Sequence, residues 1–293
     1  MKLIDKAVRK LRTARHLLLI RVRPPAHRRR VGRLIAPLLP GASDLNPVGG
    51  DKAAVDRIRE DGFVMLEDLF PTEFLRRLRA KLEERQCKDG WHPEFGVFDR
   101  TAAPAKSSNI QILDVEETPE AVEIANHPRV LSIVSSYLGC KPTIDDIVAW
   151  WSLPGRELPF EEQFFHRDQD SIRFVKLFVQ LSDVGPGDGP HVFVRGSHRR
   201  NELLQMGKRF TDEEVMAKVA ADDVVKFTGP MGTCFLEDTY GLHKGEKPEQ
   251  GTRLMLQVRY TMLPSMFAAP GTKKARVEGR DPYINRLIAA AEA

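Results

Sequence analysis

From Pro142 onward the chain changes texture, and this limits the folds open to it more than any other feature. Short apolar or alternating runs at 144–151, 174–181, 191–194, 224–227, 233–237 and 253–262 stand between glycines and prolines. Runs of this kind, punctuated by turn residues, read as β-strands. The half before them reads as helical. Residues 51–61 end at Gly62, Thr72 can N-cap 73–86, and 118–138 stop at Gly139. A strand-like run at 63–67 lies between the first two, 91–108 is loop, and 212–219 is a short helix among the strands. Helices first and many short strands afterwards predict an α+β chain with a mainly β core: a helical subdomain packed on a β-sandwich or jelly roll.

Charge divides the chain differently. Residues 1–33 hold 12 Lys or Arg against Asp5 alone, while the remainder carries 33 basic and 40 acidic residues. The isoelectric point near 8.9 therefore describes a mildly acidic body with a basic arm. In the arm Ile4, Val8, Leu11, Ala14 or Arg15, Leu18 and Val22 recur at helical spacing, ended by Pro24 and Pro25 and followed by Arg28-Arg29-Arg30. Such a helix can lie on an anionic bilayer surface or pack on the body. No aromatic residue interleaves its charges, so no nucleic-acid partner is expected. The longest apolar run there, 17–20, is far below the ~20 residues of a membrane-crossing helix. Three widely spaced cysteines (Cys87, Cys140, Cys234) offer neither a disulfide framework nor a zinc motif, which predicts a reducing, cytoplasmic setting.

The chemistry concentrates in Phe164-Phe165-His166-Arg167-Asp168-Gln169-Asp170. His and Asp two apart on an extended strand project to one side and can reach one metal. A second histidine would complete a two-histidine, one-carboxylate face, which leaves positions open on Fe(II). Among the strands, His191, His198 and His243 are the candidates. His243 is the best of them, because Arg253 follows ten residues later at the start of a strand. A buried guanidinium there would pair bidentately with a dicarboxylate whose other end chelates the iron. The bland alternative is that His166 and Asp168 satisfy each other without metal.

This set resembles the phytanoyl-CoA dioxygenase family of Fe(II)- and 2-oxoglutarate-dependent oxygenases. The resemblance is carried by His166-x-Asp168, by Ser182-Asp-Val with Gly189-Pro-His-Val-Phe-Val-Arg-Gly-Ser197-His198, and by His243 with Arg253. It runs over about residues 56–260 and includes Asp61-Gly-Phe-Val. It implies a double-stranded β-helix with a catalytic iron held by His166, Asp168 and His243, and 2-oxoglutarate anchored on Arg253. O2 is then the second co-substrate, with ascorbate as a reductant. In similar enzymes a polar residue at the strand position of Lys176 touches 2-oxoglutarate, so Lys176 is a candidate to assist Arg253; an outward lysine is the alternative. Related halogenases carry a small residue in place of the carboxylate, so Asp168 favours hydroxylation. Met255 stands where a small hydroxyl often follows the arginine by two places.

Other residues carry weaker readings. Thr233 and Gln257 flank the co-substrate strands, and Asp170, Arg167, Arg173 and Arg195 are candidates to face substrate. His191 and His198 read as structural, Trp150, Trp151 and Phe165 as core, and Asp238 as a carboxylate orienting a ligand imidazole or a surface acid. The expected organisation is a basic arm (1–40), the oxygenase domain (51–265) after a linker at 41–50, and a C-terminal tail or helix (266–293). The substrate is a lipid-linked group (glycolipid, lipid-bound sugar or acyl), with residues 1–33 at the inner face of a membrane, or a soluble small molecule. A non-catalytic jelly-roll binding module and a cupin isomerase or epimerase are the rival readings.

Overall fold

Two antiparallel sheets meet at the centre of the protein. The computed structural model describes residues 2–41, 49–154, 160–205, 207–266 and 275–289. The eight-stranded sheet has the order β1 (Phe63–Met65), β9 (Cys234–Glu237), β6 (Phe174–Gln180), β11 (Arg253–Thr261), β5 (Thr143–Ser152), β4 (Asn109–Ile112), β2 (Cys87–Asp89), β3 (Val97–Phe98). The three-stranded sheet has the order β10 (His243–Gly245), β7 (His191–Val194), β8 (Val224–Phe227). This is the expected mixture of helices with an antiparallel β core.

The period of two along each strand decides what each face carries. On β11, Leu254, Leu256, Val258 and Tyr260 join the main apolar core, as do Val175, Leu177 and Val179 of β6. Each such fully buried side chain is worth roughly 1.5–3 kcal/mol, so this face fixes the register in which Lys176 lies opposite both Arg259 and Glu237. The intervening residues point toward the small sheet. There Phe178, Phe235 and Met255 pack with Phe193 and Phe227, with the Phe227 and Phe235 rings stacked at 4.1 Å. The same alternation sends Lys176, Arg253, Gln257 and Arg259 into the space between the sheets.

Helices α3 (Gly49–Asp61), α4 (Thr72–Glu83), α5 (Pro119–Ala125) and α6 (Pro128–Leu138) contribute to the main core. The sequence predicted one helix over 118–138; there are two. Pro128 has no N–H for the helical ladder and disfavours helical backbone at His127, which sits at φ −59°, ψ 125°. Asn126 at the break pairs with Asn285 of α8 (Pro282–Asn285), which ties the C-terminal segment to the body. Gly139 closes α6 at φ 82°, as expected. The short helix expected at 212–219 is α7 (Asp212–Met216), opened by a Thr211–Glu214 capping box. Of the expected linker, 42–48 lie outside the described residues, and Gly49-Gly50 already belong to α3.

The arm forms α1 (Lys2–Leu19) and α2 (Pro25–Ile35). Leu19, Val22, Val31 and Ile35 pack on the main core, and the Arg15 guanidinium donates to Pro264 O at 2.7 Å. The predicted apolar stripe does not face the body throughout: Leu11 and Leu18 are 73% and 66% exposed, whereas His16 is buried. No described helix is long and apolar enough to cross a membrane.

Gly62, after α3, has φ +93°, and a Cβ there would lie 2.6 Å from His198 Nδ1 and 2.7 Å from the Phe193 ring. Gly62→Ala is therefore expected to destabilise by about 1–3 kcal/mol, read as a lower urea midpoint with an unchanged slope.

Candidate metal centre

His166 and Asp168 lie in an extended segment before β6. The sequence predicted a regular strand here; the segment instead makes isolated bridges, Phe165 to Phe210 and His166 to His243. His166 N donates to His243 O at 2.9 Å and His243 N to His166 O at 3.1 Å, so the segment extends the small sheet beside β10. Asp168 N donates to Thr239 O at 2.9 Å. The backbone thus brings together two histidines far apart in the chain, and the two-residue spacing returns Asp168 to the same side.

The side chains of His166, Asp168 and His243 offer ligand atoms all within 4.8 Å of one another. Their tautomers follow from their partners. His166 Nδ1 lies 2.9 Å from Phe164 O and His243 Nδ1 lies 3.0 Å from Gly241 O. A carbonyl only accepts, so both Nδ1 atoms donate and both Nε2 atoms are left with lone pairs when the rings are neutral. Those Nε2 atoms stand 3.8 and 3.4 Å from the Asp168 oxygens. Two imidazole Nε2 atoms and a carboxylate placed this closely could hold a metal ion, and an N,N,O set of this kind suits Fe(II).

Burial works against charge here, yet Lys176 and the two histidines hold the Asp168 carboxyl well below its ordinary range. Lys176 faces inward and is buried; its ammonium lies 2.6 Å from Asp168 Oδ2 and 3.0 Å from Asp170 Oδ2. Burial, reinforced by His243, pushes His166 well below the usual histidine value, while the Asp168 carboxylate raises His243 despite its burial.

Behind this group the buried His191 lies 2.9 Å from Glu237 Oε2. Burial raises the Glu237 carboxyl from 4.5 to about 8 and lowers His191 well below its usual value. A neutral Glu237 O–H donating to His191 Nε2 follows. In chelator-treated protein the unfolded carboxyl ionises near 4.5 and the folded one near 8. Between them the unfolded carboxyl binds fewer protons, so the Glu237 contribution to stability falls as pH rises through that window and levels off above it, while His191, held neutral, contributes the opposite slope below the usual histidine value. Glu237→Gln should reduce the falling slope, which is worth up to about 1.4 kcal/mol per pH unit, in thermal melts taken across the range.

Arg253 begins β11 and is buried. Its guanidinium donates to Gly189 O and, at 3.0 Å, to Ser152 Oγ, while its Nε has no partner. Among the described residues no carboxylate comes within ion-pair distance of it, and burial lowers its pKa to about 10. Glu246 offsets this burial only from beyond ion-pair distance, and the guanidinium lines the same cavity of about 510 Å³ as His166, Asp168, His243 and Lys176.

Of the weaker candidates, Gln257, Asp170 and Trp150 line the cavity and Thr233 does not. Asp170 is engaged by Lys176 and by Arg259 at 3.3 Å. Arg167 donates to four backbone carbonyls, and Arg195 pairs with Asp61 at 3.0 Å. Asp238 does not orient a ligand imidazole: it accepts from Tyr137 OH at 2.5 Å, and His243 uses Gly241 O instead. Sequence reasoning missed Asn109 and Gln111 of β4, Glu162 and Arg209, which also line the cavity. The alternation Asn109-Ile110-Gln111-Ile112 was the available signal for β4.

The sequence profile described as phytanoyl-CoA dioxygenase matches residues 58–247, well over half of the chain. The chain belongs to the phytanoyl-CoA dioxygenase family. No curated protein sequence matches this family member. Among solved structures it is similar to the non-heme α-ketoglutarate-dependent carbocyclase SnoK from nogalamycin biosynthesis (18% identity, TM-score 0.55, covering 73% of this chain and 86% of that one). It is similar also to HygX from Streptomyces hygroscopicus, solved with nickel, 2-oxoglutarate and hygromycin B (15% identity, TM-score 0.54, 80% and 96% covered). A third is EctD from S. alaskensis with bound Fe (18% identity, TM-score 0.53, 84% and 88% covered). At these identities the likeness is one of fold, and this phytanoyl-CoA dioxygenase relative shares its architecture with all three.

Proposed function

We propose that this family member is an Fe(II)- and 2-oxoglutarate-dependent dioxygenase that hydroxylates its substrate. The observation that carries the reading is the convergence of two histidine Nε2 atoms and the Asp168 carboxylate on one wall of a cavity that also holds the unpaired Arg253. His166, Asp168 and His243 would hold the iron, and Arg253 the distal carboxylate of 2-oxoglutarate. Bound iron with 2-oxoglutarate supplies the activation of O2 that the side chains themselves lack. The protein's own contribution is positional. Lys176 keeps Asp168 ionised and adds a second cation for the co-substrate carboxylates, and the Nδ1 bonds to Phe164 and Gly241 fix both imidazoles. Ascorbate would serve only to keep the iron reduced.

The substrate reading rests on the cavity lining. Asn109, Gln111, Asp146, Glu162 and Arg209 supply donors and acceptors of both charges, which suits a polar group such as a sugar better than an acyl chain. A lipid-linked version of that substrate is favoured by the outward Leu11, Leu18, Leu34 and Leu38 on the basic arm, and a cytoplasmic protein touching the inner face of a membrane fits it. If Leu34→Ser/Leu38→Ser sediments with anionic vesicles as well as the unaltered chain does, the soluble-metabolite reading replaces it.

The test of the activity is succinate formation by anaerobically purified protein given Fe(II), 2-oxoglutarate and ascorbate, then air. Turnover supports the oxygenase. No turnover together with no Fe(II) binding would leave a non-catalytic binding module.

A further inference from the structure

A second cavity, of about 270 Å³, lies between the arm and the body and shares no lining residue with the metal-centre cavity. Helix α2 contributes Arg28, Arg29 and Arg33 to it, and the body contributes Arg59, Arg173 and Arg199. The one carboxylate in the lining is Asp238, and both of its oxygens are engaged, Oδ2 by Tyr137 OH at 2.5 Å and Oδ1 by Tyr240 N at 3.1 Å. His198 also lines the cavity, but burial lowers its pKa to about 4, so it neither adds to nor offsets the charge at neutral pH.

The six guanidiniums are not equally occupied. Arg28 is buried over the Tyr240 ring at 4.0 Å and donates to Ser171 O, and Arg173 donates to Tyr137 O at 2.9 Å. These two are built into the wall. Gly32 of α2 makes this possible, since a Cβ there would lie 2.5 Å from Arg173 Cδ. Arg59 bonds Asp56 and Ser136 O at the rim. The guanidinium groups of Arg29, Arg33 and Arg199 make no hydrogen bond or ion pair among the described residues, and Arg29 Nη1 is a buried donor without an acceptor. Burial lowers the Arg29 pKa, and Arg173, Arg199 and Arg33 are the like charges that lower it further. Arginines from two separate parts of the chain are thus held around one space with unused donors and little counter-charge. Planar guanidinium forks match phosphate oxygens two at a time.

We propose that this cavity is a second binding site, for a phosphate-type dianion such as a phosphomonoester, with Arg29, Arg33 and Arg199 as its principal donors. It is independent of the oxygenase reading, because it uses no residue of the metal centre. The bound anion bridges α2 to the body and fixes the arm in its docked position. Free phosphorylated metabolites and phospholipid headgroups present the same chemistry.

The test is calorimetric titration of the full chain with inorganic phosphate at constant ionic strength, beside Arg29→Gln/Arg33→Gln and Arg199→Gln. All three substituted residues are partner-free, and circular dichroism checks that the variants keep the fold. Saturable binding that weakens roughly tenfold or more per guanidinium removed, with succinate formation unchanged, is the expected result. Absence of saturable phosphate binding, or equal binding by all variants, overturns the proposal. Sedimentation with phosphatidic acid vesicles, with and without competing phosphate, identifies the source. Vesicle binding displaced by phosphate marks a lipid headgroup, and phosphate binding without vesicle retention marks a soluble ligand.

Discussion

Asp168→Ala is expected to fold but to form no measurable succinate from 2-oxoglutarate. The variant deletes the one anionic atom pair on which both Nε2 atoms and the Lys176 ammonium converge. Losing a residue that merely supports a ligand weakens metal binding by roughly 10–100-fold, so losing the ligand itself should cost at least as much in turnover. Lys176 keeps Asp170 at 3.0 Å, which spares the variant a buried cation with no partner at all. Succinate formation and Fe(II) binding, measured together, are the readouts. Retention of both near the level of the unaltered protein would refute the ligand assignment.

Arg253→Ala changes a different quantity. The guanidinium holds Gly189 O and Ser152 Oγ but no carboxylate, so its charge is not needed by the folded chain itself. Removing two charge-assisted hydrogen bonds to a bound carboxylate, at roughly 1.5–3 kcal/mol each, should raise the 2-oxoglutarate requirement about a hundredfold or more. Fe(II) affinity should stay close to that of the unaltered protein, and the melting temperature should not fall as it would if an ion pair had been broken. Arg253→Lys keeps the charge and loses the fork, and should fall between the two. An unchanged 2-oxoglutarate requirement in Arg253→Ala would remove this residue from the site.

The parts of the fold that the sequence made legible are those set by a strict period. Along β6 and β11 alternate residues are large and apolar, so the strands could be read to within a residue or two of their ends. The break between α5 and α6 is marked in the sequence by Pro128, with the polar Asn126 and His127 just before it, and a single helix over 118–138 overlooks that mark. Strands β2 and β10 are three residues long, too short to show a period, and depend on partners already in place. The two-residue spacing of His166 and Asp168 suits an extended strand, and the extended shape itself comes from pairing with His243. Lys176 is the residue whose setting depends most on chain segments far away in sequence. Its inward face was one of two open alternatives, and its partners, Asp168 and Asp170, belong to a segment whose path no local pattern specifies. The arginine-lined cavity was invisible for the same reason, since α2 and Arg199 meet only in three dimensions.

The pairing of His166 with His243 through both backbone N–H groups has a consequence for how such a protein would fare among competing ions. Both imidazoles stand on backbone joined by hydrogen bonds that involve no metal, so, with these residues as the ligands, incorporation and exchange would need no refolding. A rigid face of two nitrogens and one oxygen also has little means of refusing ions of similar size, and intrinsic affinity rises from iron toward copper, with zinc also above iron. The proportion of molecules carrying iron would then track supply in the cell, and zinc excess would silence the protein without unfolding it.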